Sequence, residues 1–320
     1  MKKTIAIVSP FYNEQRCVQA FFDAIVHVVD SSQLAEFTFH LICVDDGSTD
    51  DTLALLRSCT QNTNQKVKVT IVSLARNFGH QIALSAGIDQ ACGCDAAILM
   101  DSDLQHPPEL IPELLRLWRE GYDIVQTVRQ DTENVSLPKK LSSNLFYAVF
   151  NVLSDVPIMR GAADFCLLDK KVIDVIHQMP ERHRFLRGLT AWCGFKRVIV
   201  PYVAKARKAG QSKYTVRKMF ALALDAVFSF SSRPAKLATW LGFVLVILGL
   251  MYGIYIVGGT LLGLPFVRGW PSILCTSLLL NGVTLVVLGI QGQYLARIFE
   301  EVKRRPLYTI QGIFGKEPDK

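Results

Sequence analysis

No charged residue occurs between Lys236 and Arg268, nor between Arg268 and Arg297. Each interval exceeds the roughly 20 apolar residues needed to cross about 30 Å of hydrocarbon. The two follow one another across a short linker containing Gly and Pro, residues 258–271. The pattern predicts a transmembrane hairpin with spans at about 237–257 and about 272–294. Basic residues crowd its outer flanks, with Arg217, Lys218, Arg233 and Lys236 before it and Arg297, Lys303, Arg304 and Arg305 after it, whereas the linker holds only Arg268. The positive-inside bias therefore places both termini in the cytoplasm, in a multi-pass protein of the inner (cytoplasmic) membrane.

Composition agrees with such a chain. Half of the 320 residues are hydrophobic and 20% are charged, which excludes disorder and a coiled coil. Eight cysteines without a C-x-x-C pair read as buried thiols in a reducing compartment, not as a disulfide scaffold. The start, Met1-Lys2-Lys3 followed by Thr4 to Val8, has the charge of a signal peptide, but its apolar run stops at Ser9-Pro10-Phe11 and is expected to be a first strand. The net charge of +7 is uneven. Lys205, Arg207, Lys208, Lys213, Arg217 and Lys218 form a basic block, and the segment from Met219 to Phe230 beyond it reads as an amphipathic helix in the membrane interface. A lipid bilayer is thus an expected partner, and nucleic acid is not.

Residues 1–204 alternate strand and helix signals. Strands are expected at Thr4–Ser9, Phe39–Val44, Val67–Leu74 and Ala96–Met100, with helices at Glu14–Val29, Asp50–Cys59 and Gly79–Ala91 between them. Repeated strand-helix-strand units mean a mostly parallel α/β sheet whose ligands bind beyond the carboxyl ends of the strands. Polar clusters fall at those ends: Pro10-Phe11-Tyr12-Asn13-Glu14, Asp45-Asp46-Gly47-Ser48 and Asp101-Ser102-Asp103-Leu104-Gln105. In the last, two carboxylates and a carboxamide at alternate positions of an extended segment would point one way, as hard oxygen ligands for Mg²⁺ or Mn²⁺ on a diphosphate. The expected organisation is a domain at 1–204, a basic juxtamembrane segment at 205–236, the hairpin at 237–296 and a cytosolic tail at 297–320.

Taken in order, Phe11 to Glu14, Val44 to Ser48, Ala75-Arg76-Asn77-Phe78-Gly79, Asp101 to Gln105 with Pro107-Pro108-Glu109, and Gly210-Gln211-Ser212-Lys213-Tyr214 resemble the signature of family 2 glycosyltransferases that load sugars onto polyprenyl phosphate. The similarity covers nearly the whole chain and extends to dolichol-phosphate mannose synthases and to bacterial bactoprenol-phosphate glucosyl and aminoarabinose transferases. It implies a GT-A fold, a nucleotide-sugar donor, a polyprenyl phosphate acceptor, a divalent cation and transfer with inversion. It puts Pro10, Tyr12 and Glu14 around the nucleobase and ribose, with Asp46 beside the base. Asp101, Asp103 and Gln105 would hold the metal, and Arg129, Arg207 and Lys213 would neutralise the lipid phosphate. Asp164 matches the acidic residue near the anomeric carbon, expected to position the sugar with base catalysis as a secondary role. Where relatives often carry Arg two positions later, this chain has Cys166. His80 and His106, which border motifs, are assigned no role.

The resemblance to the bacterial branch favours a uridine donor carrying glucose or a related sugar. Two other readings stand beside this one. A processive polysaccharide synthase usually shows Gln-x-x-Arg-Trp, and no Trp here follows an Arg. A membrane-tethered nucleotide-sugar sensor without turnover would have no use for an intact metal triad. Gly242, Gly249 and Gly253 give the spans small-residue faces through which copies could associate as a homo-oligomer.

Overall fold

A computed structural model describes residues 2–31, 34–61, 67–130, 162–182, 184–203, 233–262 and 269–315. The chain divides into two compact units, one of residues 1–148, 156–219 and 305–320 and the other of 149–155 and 220–304.

The first unit is built on an eight-stranded sheet. Its strands are β1 (Lys3–Phe11), β2 (Phe37–Asp45), β3 (Val67–Leu74), β4 (Ala96–Leu99), β5 (Ile124–Gln130), β6 (Ala162–Asp169), β7 (Arg197–Val203) and β8 (Ile310–Gly315), in the spatial order β7-β5-β6-β4-β1-β2-β3-β8. Strands β4, β1, β2 and β3 run parallel, as do β5 and β7. Strand β6 lies antiparallel between β4 and β5, and β8 antiparallel on the outside of β3. This is the mostly parallel α/β arrangement that the alternation of strand and helix signals predicts, and it is GT-A-like, as the resemblance implies.

The central strands are near-continuous apolar runs because helices cover both faces of a parallel sheet. Helix α1 (Val18–Val29) presents Val18, Phe21, Phe22, Ile25, Val28 and Val29 to the core, the stripe a 3.6-residue period produces. It begins four residues later than the apolar pattern implies, because Gln15 to Cys17 are spent in a turn. Helix α2 (Thr52–Gln61) starts where Asp50 Oδ1 accepts from the Thr52 N–H at 3.0 Å. Helix α3 (His80–Gln90) approaches the sheet closely at Gly87, where an added Cβ would stand 2.2 Å from Val8 Cγ1 and 3.2 Å from Val44 Cγ2. Helices α4 (Ile111–Arg119), α5 (Lys170–Gln178) and α6 (Leu186–Trp192) complete this unit. Among the described cysteines, Cys17, Cys43, Cys59, Cys94 and Cys166 are buried, Cys193 is half-buried, Cys92 is exposed, and none is bridged.

The second unit contains α7 (Arg233–Leu261) and α8 (Trp270–Val302), which pack on each other. Both extend past the spans that charge alone delimits. Only Leu280–Val302 is long and apolar enough among the described residues to cross a membrane by length and composition, and Ala238–Gly249 is a shorter apolar stretch. Two defined spans are therefore not established by these helices. Residues 310–315, expected only as tail, instead form β8 and return to the eight-stranded sheet. The preceding segment and β8 itself are tied to the same unit: Thr309 O accepts from Ala75 N at 2.9 Å, Tyr308 Oη donates to Asp89 Oδ2 at 2.6 Å, and Arg57 stacks on the ring of Phe314 in β8 at 3.6 Å.

Candidate active site

The parallel strands end at Phe11, Asp45, Leu74 and Leu99 along one edge of the sheet, and the polar clusters follow directly. The loops after β1 and β2 are laced together. Asn13, at φ 53°, accepts from Thr49 N through Oδ1 at 2.8 Å while its own N–H donates to Ser48 Oγ at 3.1 Å. The N–H of Glu14 donates to Thr52 Oγ1 at 3.0 Å. Pro10 is buried at the end of β1, and Tyr12, just beyond it, is 38% exposed.

Asp46 is buried, and its two oxygens accept from Phe78 N at 2.7 Å and Gly79 N at 2.9 Å. Burial pushes this carboxyl above the ordinary aspartate value, and the two hydrogen bonds only partly offset the rise. Beside it Gly47 adopts φ 67°, and a Cβ there would lie 2.4 Å from the carbonyl carbon of Arg76. The Asp45–Ser48 turn and the 75–79 loop thus interlock through a position only glycine fills without strain.

Strand pairing brings the next two carboxylates together. Leu99 pairs with Cys166 across the antiparallel β4/β6 ladder, so the same register, continued two residues, sets Asp101 opposite Asp164. His80, the first residue of α3, lies between them, with Nε2 3.4 Å from Asp101 Oδ1 and 3.5 Å from Asp164 Oδ2. Burial would lower the His80 pKa, but the Asp164 and Asp101 carboxylates outweigh it and raise it above the ordinary histidine value. Asp164 is clasped further. Arg187 from α6 donates to both of its oxygens, from Nε at 2.7 Å and Nη2 at 2.9 Å, and Gln81 Nε2 donates at 3.1 Å. Burial alone would raise the Asp164 carboxyl; the Arg187 guanidinium and the His80 imidazole reverse this and hold it well below the usual carboxylate range. Gln81 also accepts from Leu186 N at 3.0 Å, which ties α3 to the start of α6.

The Asp101–Gln105 segment is not extended, as its alternating side chains led us to expect. It turns, with Leu104 at φ 59° and the Gln105 N–H donating to Asp103 Oδ1 at 3.0 Å. Among the described residues no three His, Cys, Asp or Glu side chains are placed to hold a metal together. Two carboxylates with substrate phosphates nevertheless form an ordinary Mg²⁺ donor set. The pattern fits in one specific respect: Asp101 Oδ1 is buried and accepts no hydrogen bond. Arg129, at the exposed end of β5, pairs in register with Tyr202 of β7. Arg207 and Lys213 lie outside the described residues.

Several of these groups were not legible as site residues. His80 and His106 sit beside motifs, and their position at the strand ends was the available signal. Arg187 carried none, because only the fold of α6 returns it to Asp164.

A family model described as glycosyl transferase family 2 matches residues 6–176. An uncharacterized glycosyltransferase of Synechocystis sp. is 42% identical over 98% of this chain and 96% of its own length. An uncharacterized glycosyltransferase of Bacillus subtilis is 37% identical over 98% and 94%. A prophage bactoprenol glucosyl transferase homolog of Escherichia coli is 34% identical over 97% and 99%. These matches make the chain a nucleotide-sugar-dependent glycosyltransferase. The chain belongs to glycosyl transferase family 2, within the group related to bactoprenol glycosyltransferases.

Proposed function

We propose that this enzyme transfers a sugar, glucose or a close relative, from a uridine diphosphate donor to the phosphate of a polyprenyl phosphate, with inversion at the anomeric carbon. The observation that carries the reading is the meeting of Asp101, Asp164, His80 and Arg187 at the carboxyl edge of the sheet. The bactoprenol glucosyl transferase name of a relative aligned over nearly its full length supports the acceptor.

In this scheme Pro10, Tyr12, Glu14 and Asp46 surround the nucleobase and ribose. Asp101, Asp103 and Gln105 would hold Mg²⁺ or Mn²⁺, which when bound would supply Lewis-acid stabilisation of the leaving group. An oxygen of the lipid phosphate attacks the anomeric carbon as the bond to the nucleoside diphosphate breaks. That phosphate monoester, with a second pKa of about 6, is already largely ionised at neutral pH and needs no strong base. Asp164, held ionised with both oxygens occupied by donors, serves as a fixed negative charge that positions the sugar. Arg129, Arg207 and Lys213 receive the acceptor phosphate.

The membrane arrangement belongs to the same proposal: spans at 237–257 and 272–294, a basic interfacial segment at 205–236, and the catalytic residues 1–204 and both termini on the cytoplasmic face. The pairing of β8 with β3 supports an even number of crossings, since a single one would part β8 from the sheet it completes.

The test is transfer from labelled UDP-glucose to a short polyprenyl phosphate by the full chain in detergent. Label should enter the organic-extractable lipid in a chelator-sensitive way, and Asp103→Asn should lower turnover at least 100-fold while leaving the melting temperature unchanged, an electrostatic loss of about 2.7 kcal/mol or more. Absence of lipid-linked label across a panel of nucleotide sugars would overturn the acceptor, and full activity in excess chelator would overturn the metal.

A further inference from the structure

His106 is buried, with 6% of its surface exposed, and its ring is fixed on two sides. It stacks on Phe165 with centroids 5.1 Å apart and planes 15° apart, and it meets the edge of Tyr202 at 6.0 Å. In that orientation Nδ1 accepts the backbone N–H of Asp101 at 2.9 Å. A neutral imidazole that accepts at Nδ1 carries its proton on Nε2, and Nε2 faces Asp101 Oδ2 at 3.7 Å. Both the main chain and one carboxylate oxygen of Asp101 are therefore referred to a single immobilised ring. The other oxygen, Oδ1, is buried and accepts no hydrogen bond, its facing side chain being His80 with Nε2 at 3.4 Å, a group that would yield to a cation there.

We infer that His106 is the positioning residue of the cation site: it turns Oδ2 of Asp101 toward itself and leaves Oδ1 to bind the divalent ion. The inference rests on the metal reading proposed above and adds to it which oxygen serves and what aims it. The aromatic contacts matter because a ring free to rotate would lose the Nδ1 bond. Phe165 is fully buried on β6, one residue from Asp164, so the same strand that carries the sugar-site carboxylate also braces the metal-site carboxylate. Partners in this outer position typically change metal affinity 10- to 100-fold when removed.

The experiment is a titration of Mn²⁺ alone into the full chain in detergent, followed by loss of the free-ion paramagnetic signal. His106→Phe keeps a flat ring against Phe165 but offers no acceptor, and should weaken Mn²⁺ binding roughly 10- to 100-fold. His106→Asn returns an acceptor near the place of Nδ1 and should recover most of that affinity. Binding of UDP in excess chelator should be the same in all three proteins, a split that a general loosening of the site would not give. If His106→Phe fails to accumulate, His106→Ala against His106→Asn makes the same comparison. Mn²⁺ affinity equal to wild type in the acceptor-free variant, or equal loss in the Asn variant, overturns the inference. A wild-type chain that retains no Mn²⁺ overturns the metal reading itself and the inference with it.

Discussion

The Arg187–Asp164 pair is where a single side chain decides the charge of the site. Asp164 is 9% exposed, so without a cation beside it the carboxyl would bind a proton instead of remaining charged. Arg187→Gln removes the larger of the two cationic influences on Asp164 and leaves His80 Nε2 at 3.5 Å, so the Asp164 pKa should rise toward its ordinary value. The sign follows from proton binding. In the wild type a depressed folded pKa contributes stability that is present above about pH 4 and lost only as pH falls through the lower folded value. In the variant that depression is smaller, so less of this stability is present at neutral pH. Thermal melts should show the largest deficit at pH 7 to 8 and a narrowing gap below about pH 5. Breaking a fully buried pair costs about 3 to 5 kcal/mol; with the Arg187 side chain 35% exposed, roughly 2 kcal/mol is expected at neutral pH. A deficit that does not vary with pH would mean that Asp164 is not the group responding. Asp164 itself was legible from its motif, but its electrostatics were not, because they depend on a residue 23 positions on that α6 brings back.

At the scale of elements, α3 carries two site residues in its first turn and is pressed on the sheet by its lack of a side chain at Gly87. Gly87→Ala would drive a methyl into Val8, whose branched side chain at the centre of β1 has little room to turn. Overpacking of this kind costs about 1 to 3 kcal/mol. The melting temperature should fall by several degrees, and turnover should fall further than stability alone explains, because His80 and Gln81 move with the helix. An unchanged melting temperature would show that the sheet yields at no cost. The first three helices and the strands β1 to β4 were legible because their apolar periods are long and uninterrupted, whereas α4, α5, α6 and β7 were not anticipated. The antiparallel insertion of β6 was not, since register and direction leave no mark on a short apolar run, yet that insertion alone sets Asp101 against Asp164.

At the scale of the molecule, strand pairing and charge distribution make one testable statement about topology. Reporter fusions after Gly263 should read as periplasmic and fusions after Lys320 as cytoplasmic. A cytoplasmic signal from both would mean that the helices lie on the membrane without crossing it, and opposite signals would separate the active site from nucleotide sugars. The α/β class and the apolar C-terminal region could be read from composition and periodicity. The closing strand could not, because Ile310 to Gly315 is short and Gly-interrupted, and what makes it a strand is the β3 edge it finds.

That closing strand also fixes an order of events during synthesis. The ribosome makes β3 early and β8 last, after α7 and α8, an interval on the order of ten seconds or more at roughly 5–20 residues per second. For that interval the outer edge of Val67–Leu74 displays unpaired N–H and C=O groups, the template on which chains join edge to edge. Nascent chains are therefore most prone to aggregate while the apolar helices are being delivered, and a chain stopped after Arg304 would remain in that state permanently.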